Sequence, residues 1–363
     1  MLLRLLSRLD RQRFMPSVIS LIQLGPVSEK IERLGIPVRS LGMQPGKPNV
    51  TSIGRLLRWI RQDRPQVIQT WMYHADLLGG VAARLAGHIP IAWGVRHSDP
   101  RTQGYGPLTV PTVKLCARLS RWIPKRIVCC SEASREAHVA FGYTADKMVV
   151  IPNGVDLTAL KPDPAARRLT RHALGIPTEA PVIGLVGRFH PQKDHRNFVC
   201  AAKLLVSIRP SVHFVLCGEG VTWDNPELVA WIDDAGIREN CRLLGRREDV
   251  PQLMASFDLA TSSSCFGESF ANVVSEAMSC GVPCVVTDVG DSAHIVGPTG
   301  IVVPPRDAVA LARAWERMLD LGQEQLLRTG LQARQRIKDN FDLPNIVERY
   351  QTLFEELAIS RVA

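Results

Sequence analysis

No run of about 18 apolar residues occurs in the 363-residue chain, so no segment has the length that a membrane-spanning helix needs. The opening stretch, "MLLRLLSRLDRQRF", is interrupted by Arg4 and Arg8 and has no apolar core of the kind a secretory leader carries. The nine cysteines include no C-x-x-C pair and no Cys/His set at zinc spacing, which excludes zinc-finger and thioredoxin-like chemistry. Cys129, Cys130, Cys217 and Cys284 lie in apolar stretches, where a free thiol behaves as a small hydrophobe, and a reducing cytoplasm is the simplest setting. There is also no D-x-D, the short acidic spacing that would suit a divalent metal.

What is present is an ordinary globular composition, 45% hydrophobic and 22% charged, in a length that suits two domains at about 100–200 residues each. The net charge of +9 is unevenly placed. Residues 1–170 carry 25 Lys and Arg against 11 Asp and Glu, and residues 171–363 carry 19 against 24. Such asymmetry fits a first half that faces something anionic, or a basic face that is simply solvated. Leu2, Leu5, Leu6 and Leu9 share one face of an amphipathic first helix, with Arg4, Arg8 and Arg11 on another.

Further on, short apolar runs such as "PQVIQTW", "IPIAWGV", "RIVCCSE", "PVIGLVGR", "VHFVLCGEG", "FDLATSS" and "PCVVTDV" alternate with helical patterns. That rhythm predicts an α/β fold of two doubly wound parallel sheets, each covered on both faces. Residues 160–181 hold four prolines and no sustained apolar period, and read as the linker between the domains. The expected division is 1–165 for the first domain and 166–343 for the second. A terminal helix over 344–363 is expected to cross back to the first.

Ligands of doubly wound sheets bind at the loops that follow the strands. After "PVIGLVG" comes "RFHPQKD", which places Arg188 and Lys193 in such a loop; a guanidinium fork and an ammonium point charge together suit a diphosphate. After "FDLATSSS" comes a helical pattern, "SFANVVSEAMSC", closed by Gly281 and Pro283. Backbone N–H groups of Ser269, Phe270 and Ala271 at its start are a candidate anion site. Glu268 precedes that start and Glu276 lies two turns along. The spacing by itself decides nothing, because E-x7-E recurs at Glu219/Glu227, Glu316/Glu324 and Glu348/Glu356. Only the pair at Glu268 and Glu276 combines a strand, a polar loop and a helix start with cations on another strand.

Taken together, "IPNGVD" (151–156), "GRFHPQKD" (187–194), "LCGEG" (216–220), "LLGRREDVPQLMASFDL" (243–259) and "FGESFANVVSEAMSCGVPCVVTDVG" (266–290) make the chain resemble the retaining, nucleotide-sugar-dependent glycosyltransferases of family 4. The resemblance spans nearly the whole chain and implies the GT-B architecture, two Rossmann-like domains facing a central cleft. It implies that Glu268 lies against the donor sugar and that Glu276 accepts from the ribose hydroxyls. It further implies that Arg188 and Lys193 hold the diphosphate, that the base lies near Gly245 and Arg246, and that His97 reaches the sugar from the first domain. Arg96 competes with His97, and His74 in "TWMYHAD" is a further acceptor-side candidate. Anomeric retention by front-face attack follows from the family, so Glu268 is not cast as a covalent nucleophile. The absence of D-x-D agrees with Arg and Lys serving the phosphates without a metal, and no cofactor beyond the donor is expected.

The implied partners are a nucleotide-sugar donor and a glycan or lipid-linked glycan acceptor, with no nucleic acid. The stretches "RLLRWIRQDR" (55–64) and "VKLCARLSRWIPKR" (113–126) interleave basic and apolar residues and would suit an anionic inner leaflet. The alternative is core-facing Trp59 and Trp122 beneath solvated arginines. Two departures from the family pattern stand out. Its members open with a strand and a glycine-rich loop, whereas this sequence starts at the helix that follows them, which predicts a weakened enzyme. Ser269 stands where a glycine is common. A catalytically impaired sugar-nucleotide-binding protein and a nucleotide-sugar epimerase remain as rival readings; a phosphorylase would need a pyridoxal-lysine motif that the sequence lacks.

Overall fold

The computed structural model describes residues 1–44, 50–98 and 108–359. The chain divides into two compact units, Met1–Gly154 with Leu343–Ala363, and Val155–Asp342. The first contains α1 (Leu2–Arg8), β1 (Val18–Ile22), α2 (Pro26–Glu32), β2 (Val38–Met43), α3 (Val50–Asp63), β3 (Ile68–Gln69), α4 (Tyr73–Leu85), β4 (Ile91–Val95), α5 (Thr109–Leu119), β5 (Arg126–Cys129), α6 (Glu132–Ala140) and β6 (Met148–Val150). The second contains α7 (Pro164–Ala173), β7 (Val182–Val186), α8 (His195–Ile208), β8 (His213–Cys217), α9 (Pro226–Ala235), β9 (Cys241–Leu243), α10 (Val250–Ala255), β10 (Leu259–Ser262), α11 (Asn272–Ser279), β11 (Cys284–Thr287), α12 (Ser292–Val296), β12 (Ile301–Val303), α13 (Ala308–Leu319) and α14 (Gly322–Phe341). The last helix, α15 (Leu343–Ile359), returns to the first unit, and residues 360–363 of the expected terminal helix lie outside the described residues.

In the first unit the parallel strands form two separate sheets among the described residues, β1–β2 and β3–β4–β5–β6. β4, "IAWGV", is buried at all five positions, as a strand covered on both faces must be. β1 is only half-buried and, among the described residues, has one edge unpaired. α1 forms as its leucine face predicts. Leu5 and Leu9 pack with Tyr350, Leu353 and Leu357 of α15, while Leu6 packs with Ile31 and Ile36.

The second unit is a single six-stranded parallel sheet in the order β12–β11–β10–β7–β8–β9. Its core centres on Phe198, Phe214 and Trp315, whose rings meet edge-on or tilted at 5.0–5.8 Å between centroids. The indole N–H of Trp315 donates to Thr261 Oγ1 at 2.8 Å, so this buried ring leaves no orphaned donor.

Two expectations about chain organisation are corrected. Residues 155–165 pack with the second unit, not the first, and Leu343 belongs to the first. The proline-rich 160–181 segment is not a linker, because it contains α7. Asp163 caps that helix by accepting from Ala166 N at 2.8 Å, and Pro164 starts it. Its inward face combines the small Ala166 with Arg167 and Arg171. Arg167 and Arg171 reach the two carboxylate oxygens of Asp258 at 2.5 and 2.7 Å, and Arg171 also donates to the carbonyls of Ser256, Thr178 and Ala180. A search for apolar periodicity passes over a helix anchored in this way.

Candidate functional site

The sequence order of the second sheet runs outward in both directions from the junction between β7 and β10. β8 and β9 extend one way from β7, and β11 and β12 the other way from β10. Such a reversal leaves a crevice at the carboxyl ends of the two strands, the usual ligand position in an open parallel sheet. The loops from β7 (187–194) and β10 (263–271) therefore meet at this point.

They are strapped together through the backbone. Cys265 N donates to Gln192 O at 2.9 Å, and Ser263 Oγ donates to Lys193 O at 2.7 Å. Across these straps Lys193 Nζ donates to Glu268 Oε2 at 2.6 Å, and Ser264 Oγ donates to the same oxygen at 3.0 Å. The two charged side chains are only 18% and 12% exposed, so the pair is far better shielded than a surface ion pair. Arg188 is exposed and has no hydrogen-bond partner among the described residues.

Two glycines let the loops approach this closely. A Cβ on Gly290, whose φ is +60°, would lie 2.1 Å from Glu268 O. A Cβ on Gly218 would lie 2.1 Å from Gly187 O. Only glycine permits contacts of this kind.

α11 begins at Asn272, later than the sequence pattern places it, with Ala271 as its N-cap. Ser269 and Phe270 thus precede the helix rather than opening it. Ser269 is buried and its carbonyl accepts from Asp291 N at 3.0 Å. The Phe270 ring packs edge-on against Phe341 at 5.4 Å between centroids. Ala271 O accepts from Val274 N at 3.0 Å, which closes the first turn of the helix. Glu276 lies on α11, half-buried. Gly245 has its N–H bonded to Val221 O and its carbonyl to Gly218 N, both at 2.8 Å, and its neighbour Arg246 is exposed.

In the first unit, Arg96 and His97 directly follow β4. His97 is half-buried, and its carbonyl accepts from Ser134 Oγ at 2.7 Å. Arg96 is occupied differently from a substrate-facing residue. Its guanidinium donates to Asn153 Oδ1 at 3.0 Å and Tyr350 Oη at 2.5 Å, and lies 4.1 Å over the Trp71 ring. It clamps β4 to the last helix. His74 is exposed near the start of α4. Trp59 packs against the core of this unit, with Arg39 and Arg55 over its ring, whereas Trp122 is 60% exposed.

Sequence reasoning missed two buried titratable groups next to these positions. Asp76 on α4 is fully buried; its Oδ1 accepts from Thr70 Oγ1 at 2.5 Å and from Gly94 N at 3.2 Å. Burial pushes its carboxyl up to about 7, against the opposing pull of these hydrogen bonds and of Arg96. His195, directly after the Asp194 cap of α8, is buried, and among the described residues neither ring nitrogen has a hydrogen-bond partner. Burial, reinforced by the charge of Lys193, pushes its ring down to about 4. An acid within the apolar helical pattern "HADLLGG" was the available signal for Asp76.

Known proteins share this fold. Residues 1–159 match the model of Glycosyltransferase Family 4, and residues 180–321 match that of Glycosyl transferases group 1. The chain belongs to these glycosyltransferases. It is 24% identical over 325 residues to an Escherichia coli UDP-Gal:alpha-D-GlcNAc-diphosphoundecaprenol alpha-1,3-galactosyltransferase, covering 86% of this chain and 81% of that one. Its fold matches that of HepE from Anabaena, solved in complex with UDP, at a TM-score of 0.85 and 23% identity over 98% of this chain and 95% of that one. The UDP-glucose complex of the same protein matches at 0.83, again with 23% identity and the same coverage. The architecture is GT-B, as the sequence resemblance implies.

Proposed function

We propose that this glycosyltransferase moves a hexose-type sugar, with retention of anomeric configuration and without a metal, from a nucleoside diphosphate to a glycan or lipid-linked glycan. The observation that carries the reading is the Lys193–Glu268 pair at the β7/β10 junction, with Arg188 exposed in the same loop as Lys193. A diphosphate needs fixed positive charge, most of all as it leaves, and Arg188 and Lys193 supply it. Sugar hydroxyls need an acceptor, and the Glu268 carboxylate supplies one beside those cations. Glu276 takes the ribose hydroxyls, His97 serves the donor sugar, and His74 serves the acceptor.

A lipid-linked acceptor agrees with the surface of the first unit. α3 packs on α4, and α4 on α5. Arg58, Arg61, Arg84, Lys114, Arg118 and Lys125 are exposed on these helices and the loop after α5, with Leu115 43% and Trp122 60% exposed among them. Such a face suits an anionic leaflet, at about 1 kcal/mol for each basic residue near the surface. Membrane attachment at the inner leaflet, as a cytoplasmic peripheral enzyme, is part of this proposal.

The test is nucleotide release and product analysis with UDP-galactose, UDP-glucose, UDP-N-acetylglucosamine, GDP-mannose and ADP-glucose, each offered with a synthetic lipid-diphosphate N-acetylglucosamine and with EDTA present. Transfer of one sugar, with the anomeric proton of the product matching that of the donor, is expected. Inversion would overturn the retaining reading, and loss of turnover in EDTA restored by Mg2+ or Mn2+ would overturn metal independence. A folded sample that releases no nucleotide from any donor would leave a sugar-nucleotide-binding protein in place of an enzyme.

A further inference from the structure

We propose that Glu268, through its ion pair with Lys193, weakens the hold of the site on a bare nucleoside diphosphate relative to one that still carries its sugar. The inference rests on the reading of this junction as the donor site and adds to it a means of releasing product.

In the structure the Glu268 carboxylate has two donors on one oxygen, Lys193 Nζ at 2.6 Å and Ser264 Oγ at 3.0 Å. The Lys193 stem lies across Gly187, where an added Cβ would meet Cγ and Cδ of the lysine at 3.4 Å. A diphosphate placed beside Lys193 therefore lies close to Glu268 as well. Two anions then share one ammonium in a setting where both protein side chains are more than four-fifths shielded from water. Screening is weak there, and like charges repel.

What relieves the carboxylate differs between the two ligands. A sugar nucleotide brings hydroxyl donors to Glu268, so Lys193 can turn towards the phosphates without leaving a shielded carboxylate underserved. A bare nucleoside diphosphate brings no such donors, and its terminal phosphate carries more negative charge. Once the sugar has left, re-forming the Lys193–Glu268 pair opposes the remaining diphosphate. Glu268 thus separates substrate from product by an electrostatic term, while Glu276 and Arg188 grip parts that both ligands share.

The experiment is calorimetric titration of the purified full chain, wild type and Glu268→Gln, with UDP, GDP and ADP and with the five sugar nucleotides named above. Glutamine has the same shape and keeps an acceptor for Ser264 while removing the charge. With the nucleotide that the wild type binds, Glu268→Gln is expected to bind the bare diphosphate about tenfold more tightly, the size of one charge-assisted hydrogen bond. Its affinity for the sugar form should not rise with it, so the ratio of the two affinities shifts towards the bare diphosphate. Glu276→Gln should weaken both ligands together and leave their ratio unchanged. An unchanged ratio in Glu268→Gln, with nucleotide still bound, overturns the inference and leaves the donor site standing. Absence of any nucleotide binding in a folded wild type overturns both.

Discussion

Asp76 and His195 are buried titratable side chains with opposite effects on stability. The folded chain holds the Asp76 proton up to about pH 7, whereas an unfolded aspartate loses it near 4. Stability is therefore lost as pH rises from about 4 through 7. Asp76→Asn keeps an acceptor for Thr70 and Gly94 and carries no charge. Its melting temperature should exceed that of the wild type by more at pH 8 than at pH 5; an equal difference at both values would refute this. His195 works the other way. Its folded value of about 4 lies below the ordinary 6.5, so its contribution is present above 6.5 and is lost as pH falls towards 4. His195→Gln should flatten the acid limb of the stability curve, and an unchanged limb would refute the assignment. Neither residue was legible as special in the sequence. Spacing reports which face of an element a residue occupies, but not whether a polar group on that face finds partners. Lys193 and Glu268 were legible because their motifs, "GRFHPQKD" and "FGESF", carry chemistry in loops after strands.

The loops that hold the site depend on backbone approach as much as on side chains. Gly290 and Gly322 both have positive φ, +60° and +76°, yet their surroundings differ. A Cβ at Gly290 would meet Glu268 O at 2.1 Å, while one at Gly322 would meet nothing within 4 Å. Gly322→Ala should cost only the left-handed conformation, about 1–2 kcal/mol, and leave nucleotide affinity alone. Gly290→Ala should cost more and lower donor affinity, because the strand-to-helix loop that carries Glu268 must move. Equal effects of the two changes in thermal melts and in nucleotide titration would contradict this account of the loop. Strands and most helices were legible from apolar runs, since a parallel sheet buried on both faces leaves little else for such runs to be. α7 was not, because its inward face combines Ala166 with Arg167 and Arg171 on Asp258. The α11 start was misplaced because Phe270 and Ala271 are buried in the loop before the helix, which gives the loop the same apolar look as the helix itself.

At the scale of the molecule, the charge asymmetry of the sequence has a structural counterpart in the exposed arginines and lysines of α3, α4 and α5, all in the first unit. Replacing Lys114, Arg118 and Lys125 by glutamine should sharply reduce sedimentation with vesicles containing phosphatidylglycerol. Nucleotide affinity should be unchanged, because the proposed nucleotide contacts lie in the second unit. Equal sedimentation of variant and wild type would contradict the membrane proposal. The two-unit organisation was legible from strand–helix alternation. The crossing points at Gly154/Val155 and Asp342/Leu343 were not, because residues 155–163 carry no regular element by which to assign them to either unit.

The central claim is that the β7/β10 junction of the second unit binds a nucleoside diphosphate through Arg188, with Glu276 on the ribose. It is tested most directly by titrating the wild type, Arg188→Ala and Glu276→Gln with UDP, GDP and ADP in a calorimeter. The account predicts that one nucleotide binds the wild type and that each substitution weakens it by about tenfold or more, the size of a hydrogen bond to a charged group. A nucleotide that binds all three proteins equally well would contradict it.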